Sequence, residues 1–137
     1  MNSTTIIILL LVVVVIMIII YLFVNTGTST KGVSADIKNK LKTMPSSQTD
    51  NPHELKSILV EYDKLMDYYL KQLKLPGETM GERLMNARSK FDKETYNKIW
   101  TAHKLRNSLV HEFGMQVKPE MIRNEIYNLR KALQSIK

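Results

Sequence analysis

Residues 52–73 read Pro-His-Glu-Leu-Lys-Ser-Ile-Leu-Val-Glu-Tyr-Asp-Lys-Leu-Met-Asp-Tyr-Tyr-Leu-Lys-Gln-Leu. Leu55, Ile58, Leu59, Tyr62, Leu65, Met66, Tyr69, Leu70 and Leu73 recur at helical spacing, which makes one broad apolar stripe with the charges set elsewhere. Asn51 supplies a polar cap, Pro52 suits a first helical turn, and Pro76-Gly77 ends the run. A long helix with one apolar face needs other helices to cover it. No strand-like alternation of apolar and polar residues occurs anywhere in the chain, so the fold class is all-α.

The segments that follow supply the covering helices. Thr79-Met80-Gly81-Glu82 has the form of a capping box, Thr reaching forward and Glu reaching back. It opens a short helix to about Lys90, with Leu84, Met85, Ala87 and Phe91 expected inside. Asp92 caps a third helix, which carries Tyr96, Ile99, Trp100, His103 and Val110 along one side and stops near Gly114. Met115 to Lys118 connect to a last helix opened by Pro119, with Ile122, Ile126, Leu129, Leu133 and Ile136 as its stripe. These helices predict a small antiparallel four-helix bundle over residues 52–137. So small a core is marginal for a monomer, which points to a homodimer.

Upstream the chain is a different material. Residues 6–24 are unbroken Ile, Leu, Val, Met, Tyr and Phe without charge, Gly or Pro. At a rise of about 1.5 Å per residue they span close to 30 Å, the thickness of a bilayer's hydrocarbon, and predict a single transmembrane helix. A signal peptide fits less well: Met1 to Thr5 carry no Lys or Arg, the apolar run is longer, and Asn25-Thr26-Gly27 is a poor cleavage site. All 20 Lys and Arg follow the span, so the expected orientation has the N-terminus outside and the C-terminal domain in the cytoplasm. The absence of cysteine is compatible with a reducing compartment and excludes a lipidated N-terminal Cys.

Residues 25–51 read as a linker or juxtamembrane segment. Within it Val33, Ile37, Leu41 and Met44 have helical spacing among Lys38, Lys40 and Lys42. Two readings stay open there, a short helix lying on the headgroups and a loosely ordered tether. The net charge of +7 lies wholly beyond the span. Attraction to the anionic headgroups of the adjoining bilayer explains it more simply than attraction to RNA phosphates, although both stay in view.

The chemistry concentrates in residues 100–112, Trp-Thr-Ala-His-Lys-Leu-Arg-Asn-Ser-Leu-Val-His-Glu. His103, Asn107 and His111 follow one another at steps of four along a border of the apolar stripe, while Arg106 lies on its other flank, about 140° from His111. One straight helix therefore does not converge Arg106 and His111 on one small group, whereas two facing copies would. Zinc is a poor fit, since the two histidines are eight apart and no Cys is present. Ser108 lacks a Gly-flanked elbow, no Gly-rich phosphate loop exists, and no cofactor is implied. Arg and His suffice without a metal, because Arg offsets phosphate charge and His moves a proton near neutral pH. Each residue also has a structural reading: Arg106 in a salt bridge, Asn107 in a buried hydrogen bond, His103 packed at the core edge, His111 against the helix dipole.

Arg106-Asn107-Ser108-Leu109-Val110-His111 resembles the hallmark of the HEPN superfamily: Arg, a polar residue, a short spacer, then His near the end of a helix. The flanking amphipathic helices agree, and the resemblance covers residues 52–137. It implies an all-α bundle dimerised across the motif helix and, often, a metal-independent ribonuclease. Arg106, Asn107 and His111 would then be the catalytic residues, with His103 and Glu112 in support. Many domains of this kind serve instead as binding or scaffold modules. The function expected is a membrane-anchored, non-catalytic module for dimerisation or for binding a partner or nucleotide, because anchoring a small toxic nuclease would demand control that this chain does not visibly encode. The alternative is a tethered endoribonuclease acting through Arg106 and His111 across a dimer. A reporter fused after Lys137 should read as cytoplasmic; an external signal would remove RNA as a substrate.

Overall fold

The computed structural model describes residues 2–25 and 30–137. Among them the chain is all-helical, with α1 at Ser3–Asn25, α2 at Thr30–Lys42, α3 at Pro52–Gln72, α4 at Met80–Asn86, α5 at Lys93–His111 and α6 at Pro119–Gln134. A 3-10 turn at Arg88–Lys90 bridges α4 and α5. α1 has side chains exposed on every side through Leu22, and Ser3–Leu22 is long and apolar enough to cross a membrane. By length and composition alone, a signal sequence passes the same test.

The remaining helices form one bundle. α3, α5 and α6 pack on one another, α2 lies against α3 and α6, and α4 rests on α3. Direction follows from the cross-links. Ser34 of α2 donates to the carbonyl of Ile136, just beyond α6, and Tyr68 of α3 donates to Asp36 of α2. Arg123, near the start of α6, reaches Asp50 just ahead of α3. α2 thus runs against both α3 and α6, and α5 runs against α3: Phe91, just ahead of α5, meets Tyr69 near the end of α3 edge-on, and residue 103 meets residue 63. The core joins Ile37 to Leu55, Leu59, Tyr62, Met66 and Leu70 of α3, Ile99 of α5, and Ile122, Ile126, Leu129 and Leu133 of α6.

Local sequence explains the ends. The Asn51 side chain accepts from the His53 amide with Pro52 in the first turn, and Asp92 accepts from the Thr95 amide. The Thr79–Glu82 capping box is formed in full. Gly77 is needed where it stands: its φ is +139°, and a Cβ would come within 2.7 Å of the Arg83 amide nitrogen and the Glu82 Cβ.

Three expectations change. Residues 33–44 are not a tether: all but the last two lie in α2, and Val33, Ser34, Ile37 and Leu41 are buried, so the packed unit begins upstream of residue 52. The polar linker expected at residues 25–32 lies partly outside the described residues, which omit 26–29, while Thr30 to Gly32 begin α2. Met85 and Val110 are exposed rather than internal. In α4 the buried side is Met80, Arg83 and Leu84, and Met85 points at least about 100° away from each. Val110 shares the angular row of Ile99 and His103 but sits in the last turn of α5, where that row runs out to solvent. If α2 is a core helix, Ile37→Ala should lower the unfolding free energy of the detergent-solubilised chain by about 2–4 kcal/mol. Chemical denaturation measures this; a change below about 0.5 kcal/mol, normal for a surface site, would return α2 to the linker.

Candidate functional site

An open groove of about 720 Å³ runs between α3, the first turn of α4 and the second half of α5. Its walls include Asp63, Asp67, Arg83, Trp100, His103, Arg106, Asn107 and His111. The groove exists because α3 and α5 pack through their apolar rows while α4 is too short to cover the seam beside them.

Asp63 is the organising group. It is 3% exposed, on the flank of the α3 stripe, and its Oδ1 lies 2.9 Å from His103 Nδ1. His103 Nε2 lies 3.1 Å from the Asn107 amide nitrogen, and Arg106 Nη1 donates to Asn107 Oδ1 at 2.8 Å. Arg106 Nε returns to within 3.4 Å of Asp63 Oδ2, inside ion-pair reach, although it is buried without a hydrogen-bond partner of good geometry. The four side chains therefore close a ring.

Donor logic assigns the protons in that ring. Arginine has only donors, so Asn107 turns its carbonyl oxygen to Arg106 and its NH2 to His103. His103 Nε2 must then accept, which leaves the ring proton on Nδ1, donated to the Asp63 carboxylate. In this arrangement the imidazole is neutral with both nitrogens engaged. Trp100 meets its edge with ring centroids 6.1 Å apart, and α4 lies over it closely enough that a Cβ on Gly81 would be 3.7 Å from Nε2.

A second carboxylate repeats the pattern one turn along α3. Asp67 accepts from Arg83 Nε at 2.8 Å and pairs with Lys71 at 2.8 Å, while Arg83 Nη1 donates to the Gly77 carbonyl at 2.6 Å. Arg83 is buried, so α4 is clamped to α3 through a charge. Below it the amides of Glu78 and Thr79 hold the Glu82 carboxyl below the usual carboxylate range.

Of the residues singled out from sequence, His103, Arg106 and Asn107 come together in one ring. His111 is exposed and lines the same groove without joining that ring. Within a single chain the two flanks of α5 thus open onto one groove, although Arg106 and His111 stay apart on the helix. Glu112 lies elsewhere, in a separate cleft of about 490 Å³ with Pro52, His53 and Lys56. Sequence reasoning missed Asp63, Asp67 and Arg83. The signal available was two aspartates four residues apart on the border of an otherwise apolar row. Among the described residues no group of three or more His, Cys, Asp and Glu is placed to hold a metal ion.

Compared with protein-family models, curated proteins and solved structures, the chain matches none.

Removing Asp63 should unmake the ring. Asp63→Ala strands a buried imidazole N–H and the half-buried Arg106, at a cost of about 3 kcal/mol in denaturant melts. Asp63→Asn, which can still accept from His103, should lose less than the alanine variant. Equal stability of all three proteins would mean that the ring holds nothing together.

Proposed function

We propose that the chain is a single-span membrane protein whose cytoplasmic part, a HEPN-like helical bundle extended by α2, is a non-catalytic module that dimerises or holds a partner along the α3–α5 groove. The observation that carries this reading is the closed ring. Asp63, His103, Asn107 and Arg106 spend their hydrogen-bonding capacity on one another, which makes a rigid floor and leaves no free base among them. Beside His111, at one end of the groove, the chain carries exposed apolar residues. Val110 is exposed one residue before His111, and Phe113, two residues after it, is wholly exposed. Exposed aromatic side chains such as Phe113 are enriched in protein interfaces. The groove wall is mixed in charge, five Lys and Arg against three Asp and Glu, which suits a polar partner.

One observation favours the tethered, metal-independent endoribonuclease as the second reading. Arg106 and His111 open onto the same groove, so a phosphate held by the guanidinium would have an uncommitted imidazole on its border. In that case His111 rather than His103 would be the acid or base, with Arg106 offsetting charge in the transition state.

The two readings differ in what the substitutions do. The module reading expects no RNA cleavage by the purified full chain, with or without a chelator. It also expects Arg106→Ala and Asn107→Ala to cost about 1–3 kcal/mol each, the range for leaving buried partners unsatisfied. His111→Ala should leave melting unchanged. Cleavage that yields 2′,3′-cyclic phosphate ends and disappears in His111→Ala would reverse the conclusion.

A further inference from the structure

The two ends of the bundle differ in charge. Where α2 begins, α6 finishes and α5 starts, Lys31, Lys90, Lys93 and Lys137 are all exposed, and among the described residues none of them is in an ion pair. The carboxylates nearby are committed. Asp92 caps α5 through the Thr95 amide, which holds its carboxyl below the usual range, and Glu94 pairs with Lys98. The opposite end carries Asp50, Glu54, Glu112 and Glu120 among its cations, and there Asp50 and Glu120 both pair with Arg123.

The lysine end also has a depression of about 530 Å³. Tyr69, Phe91 and Ile136 are the covered apolar part of its lining, and the exposed Thr30, Lys90 and Lys137 line it too, with Asp92, the carboxylate that caps α5, beside them. Cations and a hydroxyl beside an apolar lining suit a phosphate with an apolar body beneath it.

Connectivity says what lies opposite. Five Cα steps separate Asn25, the last residue of α1, from Thr30 in that lining, a reach of at most about 18 Å. We propose that this end of the bundle is a docking face for anionic lipid, seating phosphate headgroups between Lys90 and Lys137 with Lys31 and Lys93 beside them. The inference rests on the reading of α1 as a membrane anchor, and it adds an orientation: the α2 N-terminus faces the bilayer and the α5–α6 loop points away from it. Each lysine near an anionic surface adds about fivefold in surface affinity, so the four together bias the bundle strongly at moderate salt and weakly at high salt.

The chain has no cysteine, so single labels are placed cleanly. Ser89→Cys reports the lysine end and Gln116→Cys the far end, each carrying a fluorophore on the full chain reconstituted in vesicles with a headgroup-linked quencher. In vesicles containing one-third phosphatidylserine, the label at residue 89 should be quenched at least threefold more than the label at 116. That contrast should fall by half or more in pure phosphatidylcholine, in high salt, and when Lys31, Lys90, Lys93 and Lys137 are all changed to Gln. Equal contrast in anionic and neutral vesicles, with the chain still resistant to an alkaline wash, overturns the docking face and leaves the anchor standing. A chain that washes off every vesicle overturns the anchor, and the docking face with it.

Discussion

A carboxylate 3% exposed must find its compensation inside the protein, and Asp63 finds it on the neighbouring helix. His103 and Arg106 of α5 reach it from two sides, and Asn107 ties those two together. The requirement fixes more than a contact. An apolar seam between two helices tolerates a small slide, but a buried anion held by one hydrogen bond and one ion pair does not. Register between α3 and α5, and so the shape of the groove, depends on Asp63 staying paired.

The same constraint explains why the polar cluster of α5 is not spread evenly around a reactive centre. His103, Asn107 and Arg106 are turned inward on α3, while His111, one further turn along, is left on the surface. Asp67 and Arg83 repeat the device for α4, where they add a charged fastening to the buried Met80 and Leu84. Two aspartates at i and i+4 on α3 thus fasten two different helices, and the groove is the space between the fastenings.

What the sequence made legible was local. The stripe of α3, the Asn51 and Asp92 caps, the Thr79–Glu82 box and the stripe of α6 all appear as read, because neighbouring residues alone settle them. What stayed hidden depends on partners far along the chain. Asp63 and Asp67 look like ordinary solvated charges until α5 and α4 are set beside them. α2 looked like a surface element because Lys38, Lys40 and Lys42 dominate its composition. Its membership of the core rests on three apolar side chains and on Ser34 meeting a carbonyl 102 residues away. His111 was read together with Arg106 because they share a motif, and spacing along one helix does not say which of two polar residues a neighbouring helix will claim.

Under the proposed reading the molecule separates its tasks along its length. The chain enters the bundle at the end where α5 starts, and the ring stands about thirteen residues further along that helix, roughly 20 Å at 1.5 Å per residue. A bilayer against Lys31 and Lys137 would therefore leave clear the ring, the His111 end of the groove and the exposed Phe113. The anchor reduces the partner's search from a volume to a surface, which raises the effective concentration of any partner tethered to the same membrane. A weak, open groove is then sufficient, and a deep pocket of high intrinsic affinity is not required. That fits a site whose most buried polar groups are spent on holding it rigid.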